Sequence, residues 1–262
     1  MRFRALAWTF AQRELKARFK DTALGWIWSL AIPLSTLAVY SVIFGVIFKA
    51  VAPPFGTARE PIYAVWLFCG LVAFNFFAGG VLRGIDALIS STTLMRKVYI
   101  PPFAPILGSL LAGGLQSLVE LGLVLVVLGA LGNVAATWLL VPIWAVLFFG
   151  FTAGCAMVFA IAAAHLRDVA QITAVMLQFV FFATPVLYPI DQIPPDALGG
   201  ALRTALEINP IAHFVETFRD LTYELHTGSV GGWMYLLVAS AVALALGAVV
   251  TQRYGRDLAE QL

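Results

Sequence analysis

Charge is scarce in this sequence. Only 11% of its 262 residues are Asp, Glu, Lys or Arg, where a soluble domain carries roughly 25%. So few charges cannot cover a water-facing surface, and lipid must be the main solvent. Cysteine is nearly absent too. Cys69 and Cys155 both lie in apolar runs and read as small buried hydrophobes, implying neither a disulfide framework nor a metal site. The N-terminus lacks the pattern of a cleavable leader. Arg2, Arg4, Arg13, Lys16, Arg18 and Lys20 are spread along it, with no compact apolar core and cleavage site. The formal charge of +2 and pI of 8.6 are too mild for a nucleic-acid partner. Catalytic signatures are also missing: the sequence contains no G-x-x-x-x-G-K-[ST], H-E-x-x-H or G-x-S-x-G run.

What is present is apolar. Hydrophobic residues make up 61% and the mean hydropathy is +0.92. The apolar runs are continuous rather than alternating with a period of two, so helices and not barrel strands must satisfy the backbone in lipid. A spanning helix needs about 20 such residues. Six segments qualify: 27–49, 62–82, 103–131, 137–163, 171–190 and 233–251, with Pro33 in the first and Pro185 in the fifth. The reading is an all-α polytopic membrane protein, a single domain over 1–262 with about six transmembrane helices. Basic residues set its orientation. The N-terminal segment, the loop after span two (Arg83, Arg96, Lys97), Arg167 after span four and the tail (Arg253, Arg256) hold twelve of the 16 Lys and Arg. Only Lys49, Arg59, Arg203 and Arg219 fall on the other side. Both termini are therefore expected in the cytoplasm.

Two further features are not spans. In 3–22, Phe3, Ala7, Ala11, Leu15 and Phe19 recur at i, i+4 spacing, while Arg13, Lys16 and Lys20 share another face. This reads as an amphipathic helix in the membrane interface, or as a plain anchor. The outer connection, about 188–232, is too long for a simple loop. Asn209-Pro210 reads as a helix N-cap with Pro at the first helical position. Ile211, Phe214, Val215, Phe218, Leu221 and Leu225 follow at helical spacing, and Asp196 to Leu206 is a second short helix candidate. Over 191–228 the pair either rests on the bilayer or dips into the protein as an outer gate. In the latter case Glu207, Glu216 and Arg219 are expected to stay near water.

Four stretches, in this order and spacing, resemble one family. They are Arg18-Phe19-Lys20-Asp21-Thr22-Ala23-Leu24-Gly25-Trp26-Ile27-Trp28; Leu94-Met95-Arg96-Lys97-Val98-Tyr99-Ile100-Pro101; Arg167-Asp168; and Thr184-Pro185-Val186-Leu187-Tyr188-Pro189 with Asn209-Pro210 and Phe218-Arg219-Asp220. They resemble the ABC-2 permeases that export O-antigen, teichoic acid and related polysaccharides across a bacterial inner membrane. Phe19 stands where the family pattern has Tyr. The resemblance implies a homodimer, a separate ABC ATPase dimer that holds ATP and Mg, and an undecaprenyl-type lipid-linked glycan as substrate. This chain would need no cofactor of its own.

On that reading, the 84–100 loop couples to the ATPase. Leu88, Ile89, Thr93, Leu94 and Met95 would enter a cleft on the partner. Arg96 and Lys97 would pair with its acidic residues or with lipid phosphates, with Tyr99 in the same motif; alternatively these cations only fix topology. Arg167 and Asp168 would form a local ion pair at a second cytoplasmic contact. The resemblance also implies an aromatic-lined glycan channel, with Trp26, Trp28, Tyr40, Phe44, Phe74, Phe76 and Phe77 as candidates, although aromatics also serve as lipid-facing packing. Glu120, in mid-span, is a transport candidate or a carboxyl bonded to Gln116. Asn209, Pro210, Ile211, Phe214, Phe218 and Arg219 define the gate. The rival readings are a small-molecule ABC-2 exporter and an intramembrane lipid-modifying enzyme. The latter would need a charged catalytic cluster that the sequence does not show.

Overall fold

The computed structural model describes residues 2–19, 27–57, 60–95, 97, 100–190 and 200–255. Within them the chain is helical with no strand. The helices are α1 (Arg2–Phe19), α2 (Ile27–Tyr40, continued by a π-helical stretch Ser41–Ile47), α3 (Tyr63–Met95), α4 (Phe103–Ala130), α5 (Val141–His165, preceded by a 3-10 turn Ala136–Leu140), α6 (Asp168–Phe182), α7 (Ala201–Ile208), α8 (Pro210–Arg219, continued by a π-helical turn Asp220–Glu224) and α9 (Val230–Tyr254).

Four of these helical stretches have the length and composition to cross a membrane: Tyr63–Met95, Phe103–Ala130, Ala136–His165 and Val230–Tyr254. The first and fifth expected spans are shorter apolar helices, Ala31–Ile47 and Asp168–Phe182. Pro33 sits inside α2, a position that membrane helices tolerate when neighbouring groups satisfy the freed carbonyl.

Two helices differ in length from the spans expected over them. Past the expected end of the second span at 82 the helix itself continues. α3 runs on for 33 residues, about 50 Å at 1.5 Å per residue, well beyond the roughly 30 Å of hydrocarbon. Most of the expected 84–100 loop is therefore the last three turns of a rigid helix. In the other direction, α6 stops at Phe182, eight residues short of the expected end at 190. Pro185 lies in the turn after it, not in a span.

α3 is the core of the bundle. Trp66, Leu67, Cys69, Val81, Ile85 and Leu88 along it are almost wholly buried, and α4, α5, α6 and α8 pack around it. α5 and α9 cross closely, and a Cβ at Gly154 would overlap the Ala243 backbone. Glycine there lets two backbones touch, the common device for helix pairs in lipid. α1 lies across α4. Ala7 and Ala11, two members of its expected apolar stripe, are buried, and a Cβ on Gly108 would sit 2.9 Å from the Ala7 carbonyl. The side chains of Phe3 and Phe19 lie outside the described residues. At the far end of the chain, a Cβ on Gly255 would sit 2.9 Å from Pro102. α1 and the end of α9 thus meet the same α3–α4 end of the bundle.

Candidate functional site

The α8 segment is the most built feature of the expected outer side. Asn209 caps α8: its Oδ1 accepts from the Ile211 amide at 3.0 Å, with Pro210 at the first helical position. The apolar stripe is buried. Phe214 stacks on Phe148 at 4.5 Å, Phe218 stacks on Trp144 at 4.6 Å, and Trp144 Nε1 donates to the Phe214 carbonyl. Ile211 and Leu221 are buried as well. These partners belong to α5, and α8 also packs on α3 and α9. α7, Ala201–Ile208, overlaps the second expected helix over 201–206 and ends two residues beyond it, and 191–199 lie outside the described residues.

Arg219 was expected near water, and the structure places it inside, at 2% exposure. Its Nε donates to the Trp66 carbonyl at 3.2 Å, Nη1 to Pro185 O at 2.6 Å and Nη2 to Val186 O at 2.7 Å. The guanidinium carbon lies 3.5 Å from the centroid of the Trp66 ring, where the π-face attracts a cation. Gly70, one turn on from Trp66, makes the room: a Cβ there would overlap the guanidinium. The early end of α6 now has a cause. Its breaking carbonyls find donors on α8. Asn209 Nδ2 donates to Ala183 O at 3.1 Å and to Thr184 Oγ1 at 3.2 Å, while Arg219 takes Pro185 and Val186. Both ends of α8 thereby hold the turn that follows α6, and no backbone acceptor is stranded in an apolar setting. A signal for Arg219 was present in the sequence: it follows Ile211 and Val215 at i+8 and i+4, so it shares their buried face.

Beside it, Asp220, Glu224 and His226 converge. His226 Nε2 lies 3.4 Å from Asp220 Oδ1 and 3.3 Å from Glu224 Oε2. The Gly228 amide donates to His226 Nδ1 at 3.3 Å. The ring proton therefore belongs on Nε2, facing the carboxylates, which makes this a hydrogen-bonded trio rather than an open cation site. Burial pushes the Asp220 carboxyl well above its ordinary range, to about 7; Glu224 and Glu216 push the same way, against His226 and Arg219. The folded chain then keeps the Asp220 proton between 3.8 and about 7, where the unfolded chain has lost it. Folded-state stability must fall as pH rises through that window and level off above it. Amide exchange of 214–224, corrected for intrinsic rate, is expected to be slower at the acidic end of the window, and Asp220→Asn should remove the difference. Equal protection across the window in the parent chain would contradict this.

At the opposite end, the coupling candidates separate. Thr93, Leu94, Lys97 and Ile89 are exposed at the end of α3. Leu88 and Met95 are buried in the chain's own core, so they cannot enter a partner's cleft as expected: helical spacing turns them inward. Arg96 and Tyr99 lie outside the described residues. Arg167 and Asp168, in the tight turn between α5 and α6, are both exposed and form no ion pair with each other. Asp168 instead occupies the first turn of α6, where the helix dipole favours an anion. His165 Nδ1 lies 2.9 Å from the Ile161 carbonyl.

The aromatic candidates separate as well. Phe74 and Phe77 are buried, Phe74 edge-on to Phe181 at 5.0 Å and Phe77 stacked on Phe151 at 5.6 Å. They are intrachain packing, not surface. Phe76 is partly buried against Phe148 and Phe149. Trp28 is half exposed on α2, while Tyr40 and Phe44 keep part of their surface, with Tyr40 stacked on Phe181. Trp26 lies outside the described residues. Glu120 is buried and accepts from Gln116 Nε2 at 3.3 Å.

Comparison with known proteins adds a second kind of observation. The O-antigen export system permease protein RfbA of Myxococcus xanthus is 28% identical over 263 residues, covering 99% of this chain and 96% of that protein. The protein of the same name from Klebsiella pneumoniae is 26% identical, over 80% of this chain and 76% of its own length. The polysialic acid transport protein KpsM of Escherichia coli is 22% identical, over 90% and 88%. The family model for ABC-2 type transporters matches residues 5–223, from the helix across α4 to the end of the α8 segment, and so this chain belongs to the ABC-2 type transporter family.

Proposed function

We propose that this chain is the permease subunit of an ATP-driven exporter that carries lipid-linked polysaccharide across the bacterial cytoplasmic membrane. The observation that carries this is the end-to-end likeness to a relative named as an O-antigen export permease. The chain is a transport subunit rather than an enzyme. ATP and Mg belong to a separate ABC ATPase dimer, and two copies of this chain enclose the path. The exposed ends at Thr93, Leu94 and Lys97 and at Arg167 and Asp168 share one side of the bundle by chain direction, and they form the ATPase docking surface. The excess of basic residues supports a cytoplasmic position for that side and for both termini. Trp28, Tyr40 and Phe44, with their remaining surface, face the glycan. Depletion of the chain should leave a polyprenyl-linked glycan accumulating on the cytoplasmic side. Normal surface glycan in the depleted cell would refute the proposal.

The α8 segment is the outer gate of this permease. Its hydrogen bonds hold the turn after α6, so movement of α6 must be transmitted to it. A Thr184→Cys, Asn209→Cys pair replaces a 3.2 Å hydrogen bond with a lock. The oxidised pair is expected to lower export at least tenfold, and reduction should restore it. Full export by the oxidised protein would show that α8 does not move during transport.

A further inference from the structure

A polar cavity of about 570 Å³ opens between α1, α3 and α4, away from the gate. Its polar lining is Arg13 and Glu14 of α1 with Arg83, Ser90 and Ser91 of α3. Arg83 is held in a slot made by two glycines. A Cβ on Gly79 would come within 2.7 Å of its Nη1, and one on Gly113 of α4 within 2.6 Å of its Nε. Any larger residue at either position would displace the guanidinium.

The depth of the cavity is set by the helix it belongs to. Tyr63 begins α3 at the opposite end, and about 20 residues cross the hydrocarbon, which brings Arg83 to the boundary on the Lys97 side. α1 lies across α4 at the same level, with Arg13 exposed. An apolar groove of about 340 Å³ lies between α3, α4 and α5, and Trp8 of α1 borders it with Phe76, Leu118 and Phe149. A polar cavity with two guanidinium groups, one carboxylate and two hydroxyls has surplus positive charge. Guanidinium forks match phosphate oxygens, and basic pockets beside spanning helices on the cytoplasmic side suit lipid head groups.

We infer that this face of the chain binds a phosphate-bearing lipid, with the phosphate between Arg13 and Arg83 and the hydrocarbon tail along the Trp8 groove. The shared chemistry is a lipid phosphate. Its source is either the polyprenyl diphosphate of an export substrate or an anionic phospholipid of the surrounding leaflet. Only the first source rests on the proposed function.

The test uses the full chain purified in detergent with its ATPase partner, and native mass spectrometry to count retained lipid. The probes are a polyprenyl diphosphate, phosphatidylglycerol, the uncharged polyprenol and inorganic diphosphate. Each phosphate lipid that binds should be retained at least tenfold less by Arg83→Gln and by Arg13→Gln, and more by Glu14→Gln. Arg13 is exposed, so its variant reads the site even if Arg83→Gln fails to fold. Preference for the polyprenyl diphosphate identifies the substrate's carrier; equal or better retention of phosphatidylglycerol identifies a resident lipid; either supports the site. Retention unchanged in Arg13→Gln, or equal retention of the uncharged polyprenol, overturns it. Inorganic diphosphate competing as well as the lipid would overturn the role of the groove.

Discussion

Arg219→Ala is expected to destabilise the folded chain by on the order of 3 kcal/mol or more, the usual cost of removing one member of a buried charged network. Three carbonyls, on Trp66, Pro185 and Val186, lose their donor together. Two of them belong to the turn that follows α6, so the loss also frees α8 from that helix. Arg219→Lys should fall between the two, because an ammonium cannot reproduce the planar fork that reaches three acceptors at once. Gly70→Ala should mimic the alanine variant from the other side by expelling the guanidinium. Since both act on one interaction, the double variant should be much less destabilised than the sum of the singles. Thermal unfolding in detergent compares the four variants with the parent. An unfolding midpoint for Arg219→Ala equal to the parent's, or strict additivity with Gly70→Ala, would show that the cluster does not hold α8 in place.

Leu94→Asp, and separately Lys97→Glu, should lower export at least tenfold while the partner continues to hydrolyse ATP. Leu94 is 38% exposed at the end of α3, and Lys97 lies just beyond it. Because α3 is one rigid helix from Tyr63 to Met95, a push at this end reaches the Trp66–Arg219 contact without an intervening hinge. On the proposed function, that continuity would carry a push from the ATPase to the gate. Leu88→Asp makes the contrasting case: Leu88 is wholly buried, so that change should abolish folding rather than coupling. Export and ATP hydrolysis measured on the same membranes separate the outcomes. Normal export by both surface variants would mean that this end of α3 only sets orientation.

Most of the architecture could be read from hydrophobic run length. The spans at 103–131 and 137–163 lie within two residues of α4 and of the stretch from Ala136 to His165. The N-cap at Asn209 and the buried stripe after it followed from cap chemistry and helical period. Two differences have one origin. Run length reports an apolar stretch and not the helix that carries it, so α3 continues past the expected span end at 82, and α6 ends before the apolar run 183–190 does. Arg219 was misplaced because its charge was weighed above its phase with Ile211 and Val215, which shows the buried face but not what would satisfy a guanidinium there. Its acceptors are carbonyls 33 and 153 positions away in sequence, and no local pattern reports them. The coupling set was only half legible for a similar reason. Leu88 and Met95 look available in a loop, but on a continuous helix their phase turns them inward.

The most direct test of the account is transport itself. The chain, co-purified with its ATPase, is reconstituted into proteoliposomes that carry a polyprenyl-linked polysaccharide labelled on its sugar. Appearance of the labelled glycan on the opposite face is followed with ATP, without ATP, and with an ATPase variant unable to hydrolyse it. The account predicts transfer only where ATP is hydrolysed. Transfer at the same rate without ATP, or hydrolysis stimulated by small amphiphiles with the glycan left in place, would contradict it.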